Sequence, residues 1–168
     1  LAELKLRNYF QTEQLGKTKF TRAVNKLKKD PFWQDEMLRH TDTYLDYVKG
    51  VALSEFAGRP TVAIEKQVPL EAFIPHLEEE APAAGTADCV LIGGGTLHVI
   101  DFKYGKGVPV EAGENPQLSL YALGAYEACR LLYPVETVVL HIVQPRIREE
   151  ASRWEVPLGD LLRFGDYV

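Results

Sequence analysis

The sequence predicts a mixed α/β domain, in which helices flank a mixed central sheet. Two observations predict this class. Residues 1–57 carry the amphipathic periodicity of helices, and residues 61–143 alternate β-branched runs with one helical segment. The chain has 168 residues, of which 46% are hydrophobic and 26% charged. That length and balance suit one globular domain with a buried core, and they exclude disorder, collagen-like repeats and coiled coils.

Helices are predicted for the first third of the chain. Residues 1–10 and 18–27 have helical spacing, with basic residues on the exposed sides. Pro31 stands where a helix-starting proline would stand, and apolar or aromatic residues recur at helical spacing over Phe32–Val51. Gly58-Arg59-Pro60 ends this third helix, because glycine and proline both disfavour helical backbone.

Three strands are predicted next. Thr61–Val68 is rich in β-branched residues and alternates, which indicates the first strand. Glu78–Gly85 is polar and contains a proline, so we expect a loop there. Ala87–Ile92 and Thr96–Tyr104 are the second and third strands. The turn Gly93-Gly94-Gly95 joins them, so the pair is predicted to form a hairpin.

The remaining elements are a helix, a strand and a short helix. The loop Gly105–Glu114 holds three glycines, and Asn115-Pro116 then supplies a helix N-cap followed by a proline at the first helical position. That helix is predicted to run to about Leu132. Glu136–Val143 is typical of a buried strand, and Pro157–Phe164 of a terminal helix. The predicted order is therefore helices, three strands, helix, strand, helix.

Cysteine usage and hydropathy exclude several protein classes. The chain has two cysteines, which are too few for a disulfide scaffold, a four-cysteine zinc site or an iron–sulfur cluster held by this chain alone. We therefore expect a reduced, cytoplasmic setting. No apolar run approaches the roughly 18 residues of a membrane span. Residues 1–168 show neither repeat nor linker and are expected to form one domain. Because Leu1 begins within helical sequence, we expect the native start to lie upstream.

Charge is distributed unevenly along the chain. The net charge is −5, yet residues 1–30 contain eight basic and three acidic side chains. A basic segment on an acidic body is typical of a surface that binds phosphates. It is equally typical of a solvated helix face, and the charge pattern alone favours that simpler interpretation.

Acidic residues and a lysine recur at the ends of the predicted strands. Asp101 and Lys103 are two positions apart on the third strand, so their side chains point to the same face. The hairpin lays Asp88 of the second strand beside them, and Glu65 lies on the first strand. Converging carboxylates favour a divalent cation, and Mg²⁺ takes one or two carboxylates together with waters and a substrate phosphate. A neighbouring lysine suits phosphodiester hydrolysis, because it orients the water and stabilises phosphorane charge.

Gln117 and Tyr121 lie one helical turn apart, near the start of the predicted helix. Amide and phenol groups in that position suit contacts with a nucleic-acid backbone. Simpler interpretations stay open for each feature. In these interpretations, Asp101 and Lys103 form a surface salt bridge, Asp88 caps a turn, and Gln117 and Tyr121 pack against the sheet. The order of the features favours the catalytic interpretation, because a charged pair in an apolar strand needs a reason.

The sequence resembles the PD-(D/E)xK nuclease superfamily and, within it, the RecB-like exonucleases, above all a phage-encoded family of that type. The resemblance is carried by GTADCVLI, TLHVIDFKYGKGVPVEAGENPQLSLYALGA and VVLHIVQPRI. It spans residues 60–150, which would be the catalytic core. It implies a restriction-endonuclease-like core of helix, three strands, helix and strand.

The resemblance also implies roles for individual residues. Asp88 and Asp101 match the two metal-binding aspartates, and the main-chain carbonyl of Phe102 matches a third ligand. Lys103 matches the catalytic lysine, and Glu65 matches a strand glutamate of the RecB branch.

Two further matches concern helices. Gln117 and Tyr121 match the Gln-x-x-x-Tyr motif, which implies substrate binding. Glu3 matches a helical glutamate that approaches the metal. The histidine that precedes this glutamate in many relatives is absent from the chain. The histidines present are interpreted as structural or exposed: His40, His76, His98 and His141.

The function implied by the resemblance is that of a Mg²⁺- or Mn²⁺-dependent deoxyribonuclease without an iron–sulfur cluster. We expect an exonuclease that acts on DNA ends or single strands in phage recombination or DNA processing. It would work in the cytoplasm of a bacterial host, with a recombination protein as a candidate partner. Two alternatives are a nuclease-fold protein that binds DNA or a partner without cutting, and a structural α/β domain with incidental charges.

Overall fold

The computed structural model describes residues 1–10, 16–70, 73 and 84–166. The predicted polar loop at 78–85 therefore lies outside the described residues, apart from Ala84 and Gly85, where the loop prediction was wrong because the second strand already begins at Ala84. The helices and strands, in chain order, are α1 (Ala2–Phe10), α2 (Lys17–Leu27), α3 (Glu36–Ser54), β1 (Thr61–Pro69), β2 (Ala84–Gly93), β3 (Thr96–Phe102), α4 (Pro116–Cys129), β4 (Thr137–Val143), β5 (Ser152–Pro157) and α5 (Leu158–Gly165).

One five-stranded sheet has the strand order β1-β2-β3-β4-β5. Neighbouring strands are antiparallel except for β3 and β4, which are parallel. Parallel strands need a crossover connection, and α4 supplies it. The predicted mixed α/β class is confirmed, and the arrangement is compatible with a restriction-endonuclease-like core. No helix among the described residues is long and apolar enough to cross a lipid bilayer.

The β2–β3 hairpin forms as the triglycine turn predicts. Gly94 and Gly95 have φ values of 57° and 83°, the left-handed conformation that glycine adopts without a steric penalty. The register pairs Cys89 with Ile100 and therefore lays Asp88 alongside the end of β3. The hairpin thus brings the two predicted aspartate strands together.

Two hydrophobic cores cover the two faces of the sheet. Leu97, Leu118 and Leu140 belong to the core under α4 and α5. Tyr44 and Ile100 belong to the core under α1 and α3. Successive residues of a strand point to opposite faces, so β3 contributes to both cores. The carboxyl end of β3 consequently lies between α1 and α3 on one side and α4 on the other.

The predicted start of the third helix was wrong. Helix α3 begins at Glu36, whereas the sequence predicted a start at Phe32 after Pro31. Residues 30–33 instead form a separate turn, in which the Asp30 side chain accepts a hydrogen bond from the Phe32 N–H at 2.8 Å and the Asp30 carbonyl accepts from the Trp33 N–H at 3.0 Å. Pro31 therefore lies in a turn, which aspartate and proline both favour, and not at the start of α3.

One strand was missed and two ends were placed too late. Strand β5 pairs antiparallel with β4 at the sheet edge, and Val156 is its one buried residue, so its apolar pattern is weak. Helix α4 ends at Cys129 where about Leu132 was predicted, and β3 ends at Phe102 where Tyr104 was predicted. Leu132 is exposed, because the chain leaves α4 before it.

Candidate active site

Lys103 lies at the centre of a chain of polar contacts at the end of β3. Its Nζ is 3.1 Å from Asp101 Oδ2 and donates a hydrogen bond to Asp101 Oδ1 at 3.3 Å. It also donates to Gln117 Oε1 on α4 at 3.3 Å. Asp101 is 7% exposed, so the pair is mostly buried and differs from an ordinary surface salt bridge.

The first turn of α4 positions Gln117 and Tyr121. Asn115 caps the helix, since its Oδ1 accepts a hydrogen bond from the Leu118 N–H at 3.0 Å, and Pro116 follows at the first helical position. One turn further on, Gln117 Nε2 donates to the Tyr121 hydroxyl at 3.0 Å. The predicted substrate-binding pair therefore joins the Asp101–Lys103 pair directly.

The absence of a side chain at Gly85 leaves room for the ring of Tyr121. A Cβ atom built on Gly85 would lie 2.5 Å from Tyr121 Cε1 and 2.8 Å from Cδ1, distances that no side chain tolerates. The glycine of the Gly-Thr-Ala-Asp sequence thus serves the packing of α4 on β2. This role was not predicted, because the sequence analysis placed Gly85 in a loop, whereas the structure places it in β2.

Asp88 accepts a hydrogen bond from the main-chain N–H of Phe102 at 2.8 Å. Burial, together with the carboxylates of Asp101 and Glu65, raises the pKa of the Asp88 carboxyl to about 6. The Phe102 N–H and the Lys103 ammonium act in the opposite direction. Asp88 is therefore an acidic group whose negative charge is only partly compensated.

A small cavity of about 140 Å³ adjoins Asp88 on the α1 and α3 side of the sheet. Its polar lining comes from Glu3, Glu65, Asp88 and Tyr44, and Phe102 lines it as well. The cavity brings both predicted glutamates to the first predicted aspartate. It is an acidic recess between α1, the middle of β1 and β2, and the end of β3.

Glu65 has an unusual backbone conformation within β1. Its φ is 50°, although it is not a glycine, and the β1–β2 register records no partner for it between Ile64 and Lys66. Strained residues cluster at functional sites. The Glu65 side chain is exposed, yet partial shielding and the Glu3 carboxylate raise its pKa.

Two residues that shape this recess, Arg7 beside it and Tyr44 within its lining, were not predicted as site residues. Arg7 Nε lies 2.6 Å from Glu3 Oε1, and its guanidinium donates to the Ile64 carbonyl at 3.0 Å, so Arg7 ties α1 to β1. The one-turn spacing of Glu3 and Arg7 was the available signal. Tyr44 stacks on Phe102 with ring centroids 4.7 Å apart, and its hydroxyl donates to the Ile100 carbonyl at 3.3 Å.

The predicted site residues form two adjoining groups. One consists of Asp101, Lys103, Gln117 and Tyr121; the other consists of Glu3, Glu65, Asp88 and Phe102. The Phe102 N–H bond to Asp88 connects the groups along the backbone. The charge of Asp101 raises the pKa of Asp88, and that of Lys103 lowers it.

The donor atoms of this region meet some, but not all, of the requirements of a site for a divalent ion. Within the described ranges, no three histidine, cysteine, aspartate or glutamate side chains converge closely enough to hold a metal. Mg²⁺ needs fewer protein ligands, since it keeps several waters and takes one or two carboxylates. Asp101 Oδ2 is buried and makes no hydrogen bond, although the Lys103 ammonium lies 3.1 Å from it, and the negative charge of Asp88 is only partly compensated. Carboxylate oxygens are the donors that a hard cation prefers.

The histidines lie apart from this region. His98 and His141 are fully buried between β3, β4 and α3, and His40 is 5% exposed on α3. His76 lies outside the described residues. The three described histidines therefore belong to the packing of the domain.

Comparison with known families gives a match over the whole chain. A family model described as "Protein of unknown function (DUF2800)" matches residues 1–168. The chain belongs to the DUF2800 family. A solved structure described as the crystal structure of SSO0001 is similar to this DUF2800 chain at 13% identity and a TM-score of 0.39, covering 98% of the chain and 71% of its own length. A score that low supports no assignment of function.

Proposed function

We propose that this protein is a metal-dependent nuclease that hydrolyses phosphodiester bonds in DNA. The observation that carries the proposal is the position of the Lys103 ammonium, 3.1 Å from the Asp101 carboxylate and 3.3 Å from the Gln117 amide oxygen. A buried acid near the end of a strand, a lysine directly after that strand and a polar helix start form the arrangement that characterises PD-(D/E)xK nucleases. We propose further that it is an exonuclease of the RecB-like, phage-encoded type.

Asp88 and Asp101 are the residues that would hold Mg²⁺ or Mn²⁺, with the Phe102 carbonyl and Glu3 as further candidates. The bound ion would supply positive charge to the phosphate and acidify a water molecule. Asp101 is buried and Asp88 is partly buried, so the attraction between the cation and these carboxylates would be strong, because electrostatic interactions strengthen as water is excluded. Cation binding would also relieve the mutual repulsion of the carboxylates.

Lys103 would orient the attacking water and stabilise negative charge on the phosphate in the transition state. Its ammonium has three donors, and the contacts with Asp101 and Gln117 fix its direction. Preorganised donors of this kind need no rearrangement during the reaction. The hydroxyl of Tyr121 and the amide of Gln117 lie beside it, where they would contact the substrate backbone.

Cleavage assays test the proposal directly. We expect Asp101→Asn and Lys103→Ala each to reduce Mn²⁺-dependent cleavage of linear DNA by at least about a hundredfold, as loss of a charge-stabilising group does. Asp46→Asn and Lys106→Ala are matched controls, since both side chains are exposed and lie outside the site. Full cleavage by both site variants, with melting temperatures unchanged, would contradict the proposal.

One observation favours a second candidate function, a nuclease-fold protein that binds DNA or a partner without cutting. No three potential ligands converge among the described residues, and no histidine of the described ranges lies at the site. Calorimetric titration with Mn²⁺ separates the two functions. Uptake of Mn²⁺ that Asp101→Asn abolishes supports the nuclease, and absence of uptake supports the binding protein.

A further inference from the structure

A groove of about 740 Å³ lies between α1 and α2, next to the acidic recess. Its charged lining consists of three basic side chains, Arg7, Lys26 and Lys29, and two acidic ones, Glu3 and Asp30. Arg7 is paired with Glu3, so Lys26 and Lys29 are the basic groups that face the groove without a partner among the described residues. Glu3 lines both the groove and the recess that contains Asp88. The groove and the candidate active site are therefore neighbours along one surface.

The groove takes its positive charge mainly from α2 and the residues after it. Residues 16–29 contain six basic side chains and no acidic one: Lys17, Lys19, Arg22, Lys26, Lys28 and Lys29. Within Lys17–Leu27, which the structure describes completely, Val24 is the only buried residue. Among the described residues, none of the six basic groups has an ion-pair partner. Unbalanced positive charge of this kind favours a polyanion.

Two aromatic residues lie at one end of the groove, of which Phe32 is exposed and Trp33 is half-buried. A smaller cavity of about 140 Å³ shares Leu27 and Asp30 with it and is also lined by Phe32 and Trp33. Phe32 is 83% exposed, which is unusual for so large an apolar side chain. The Trp33 indole donates to Asp35 Oδ1 at 2.9 Å, so this ring is held in place.

We propose that a single nucleic-acid strand lies along this groove. Its phosphates would contact Lys26 and Lys29, and its bases would stack on Phe32 and Trp33. Proteins that bind single strands combine basic grooves with aromatic stacking surfaces in this way. A duplex keeps its bases paired and stacked, so it would leave the aromatic and apolar surfaces unused. The inference rests on the proposed nuclease function, because the strand would continue past Glu3 to the candidate active site.

Binding of a labelled oligothymidylate of about 15 nucleotides, a length suited to one such groove, tests the inference. Fluorescence anisotropy is measured on the full chain in EDTA, so that cleavage does not occur. The groove variant is Lys26→Ala/Lys29→Ala. The matched control is Lys17→Ala/Arg22→Ala, which removes two positive charges from the same helix, at residues that line a different surface cavity.

We expect the groove variant to lose affinity by at least about tenfold at low salt. Its slope of log K against log salt should become less steep by about 1.4, because two phosphate contacts are lost at roughly 0.7 each. The control should change Kd by less than about threefold. Equal losses in both variants would show that only overall charge matters, and would overturn the groove assignment.

The aromatic end is tested by Phe32→Ala, which removes an exposed side chain that the fold does not need. We expect about a tenfold weaker Kd for the oligothymidylate, since one stacked base contributes about that factor. An unlabelled duplex of equal length should compete at least about tenfold less well than the single strand. Unchanged Kd in Phe32→Ala, or equal competition by the duplex, would overturn the single-strand assignment.

These results separate the groove from the nuclease proposal. If the groove variant binds the strand normally while Asp101→Asn abolishes cleavage, the groove inference fails and the nuclease proposal stands. If the groove variant loses binding and the parent chain cleaves no DNA with Mn²⁺, the groove inference stands and the nuclease proposal fails. Circular dichroism melting confirms that each variant is folded.

Discussion

Asp88 accepts one hydrogen bond from the Phe102 N–H, while burial and the carboxylates of Asp101 and Glu65 raise its pKa to about 6. Near neutral pH this residue is ionised in an environment that disfavours its charge. Such a conflict is common where a group is placed for chemistry, because activity and stability impose different demands. The charge of Asp88 therefore lowers the free energy of unfolding of the metal-free protein.

Removal of the Asp88 charge should stabilise the metal-free protein. An asparagine side chain at this position would keep an oxygen that accepts from Phe102, so we expect Asp88→Asn to gain about 1 kcal/mol and to melt about 2–4 °C higher at pH 7.5 in EDTA. Asp46→Asn is the control, because Asp46 is exposed on α3 and its pair with Lys49 contributes little. A lower melting temperature for Asp88→Asn would contradict this account.

The elements that the sequence predicted well are those defined by local chemistry. The Gly94-Gly95 turn, the Asn115 cap and Pro116 all act within four residues, and the hairpin and α4 begin as expected. The predicted start of α3 was wrong, because residues 30–33 form a separate turn that precedes the helix. Strand β5 was missed, because an edge strand with one buried residue carries little apolar pattern.

Two glycines in helix interiors should respond oppositely to the same substitution. A Cβ on Gly124 of α4 would lie 2.7 Å from the Pro69 carbonyl oxygen and 2.9 Å from Val68 Cβ, so Gly124→Ala should destabilise the fold by about 1–3 kcal/mol. A Cβ on Gly50 of α3 would meet nothing within 4 Å, and Gly50→Ala should stabilise it by about 0.5–1 kcal/mol. Urea unfolding measures both. Equal effects would refute the close packing of α4 on β1.

At the scale of the whole molecule, two buried histidines connect stability to pH. His98 Nδ1 and His141 Nε2 are 3.0 Å apart, and the Tyr47 hydroxyl lies 2.8 Å from His141 Nδ1. Burial lowers the pKa of His98 to about 4 and that of His141 to about 3. Both therefore stay neutral in the folded chain at pH values where the unfolded chain, with an ordinary pKa of 6.5, binds protons.

The free energy of unfolding should fall as the pH drops from 6.5 towards 4, by up to about 1.4 kcal/mol per pH unit for each histidine. The unfolded state binds more protons in this window, so acid favours unfolding. The raised pKa of Asp88 acts in the opposite direction and offsets one of the two protons. Urea unfolding at a series of pH values measures the slope, which His98→Gln/His141→Gln should reduce. A stability that rises between pH 6.5 and 4 would refute the prediction.

Local sequence patterns were enough to predict the α/β class, the hairpin that pairs the Asp88 and Asp101 strands, and the start of α4, because these depend on side-chain periodicity and on turn and cap residues close in the chain. Three features could be seen only in the folded chain: Lys103 contacts Gln117, Glu3 and Glu65 share a recess with Asp88, and a groove whose lysines are unpaired among the described residues adjoins that recess. These contacts join distant segments. Their geometry depends on how helices pack on the sheet, which local patterns do not encode.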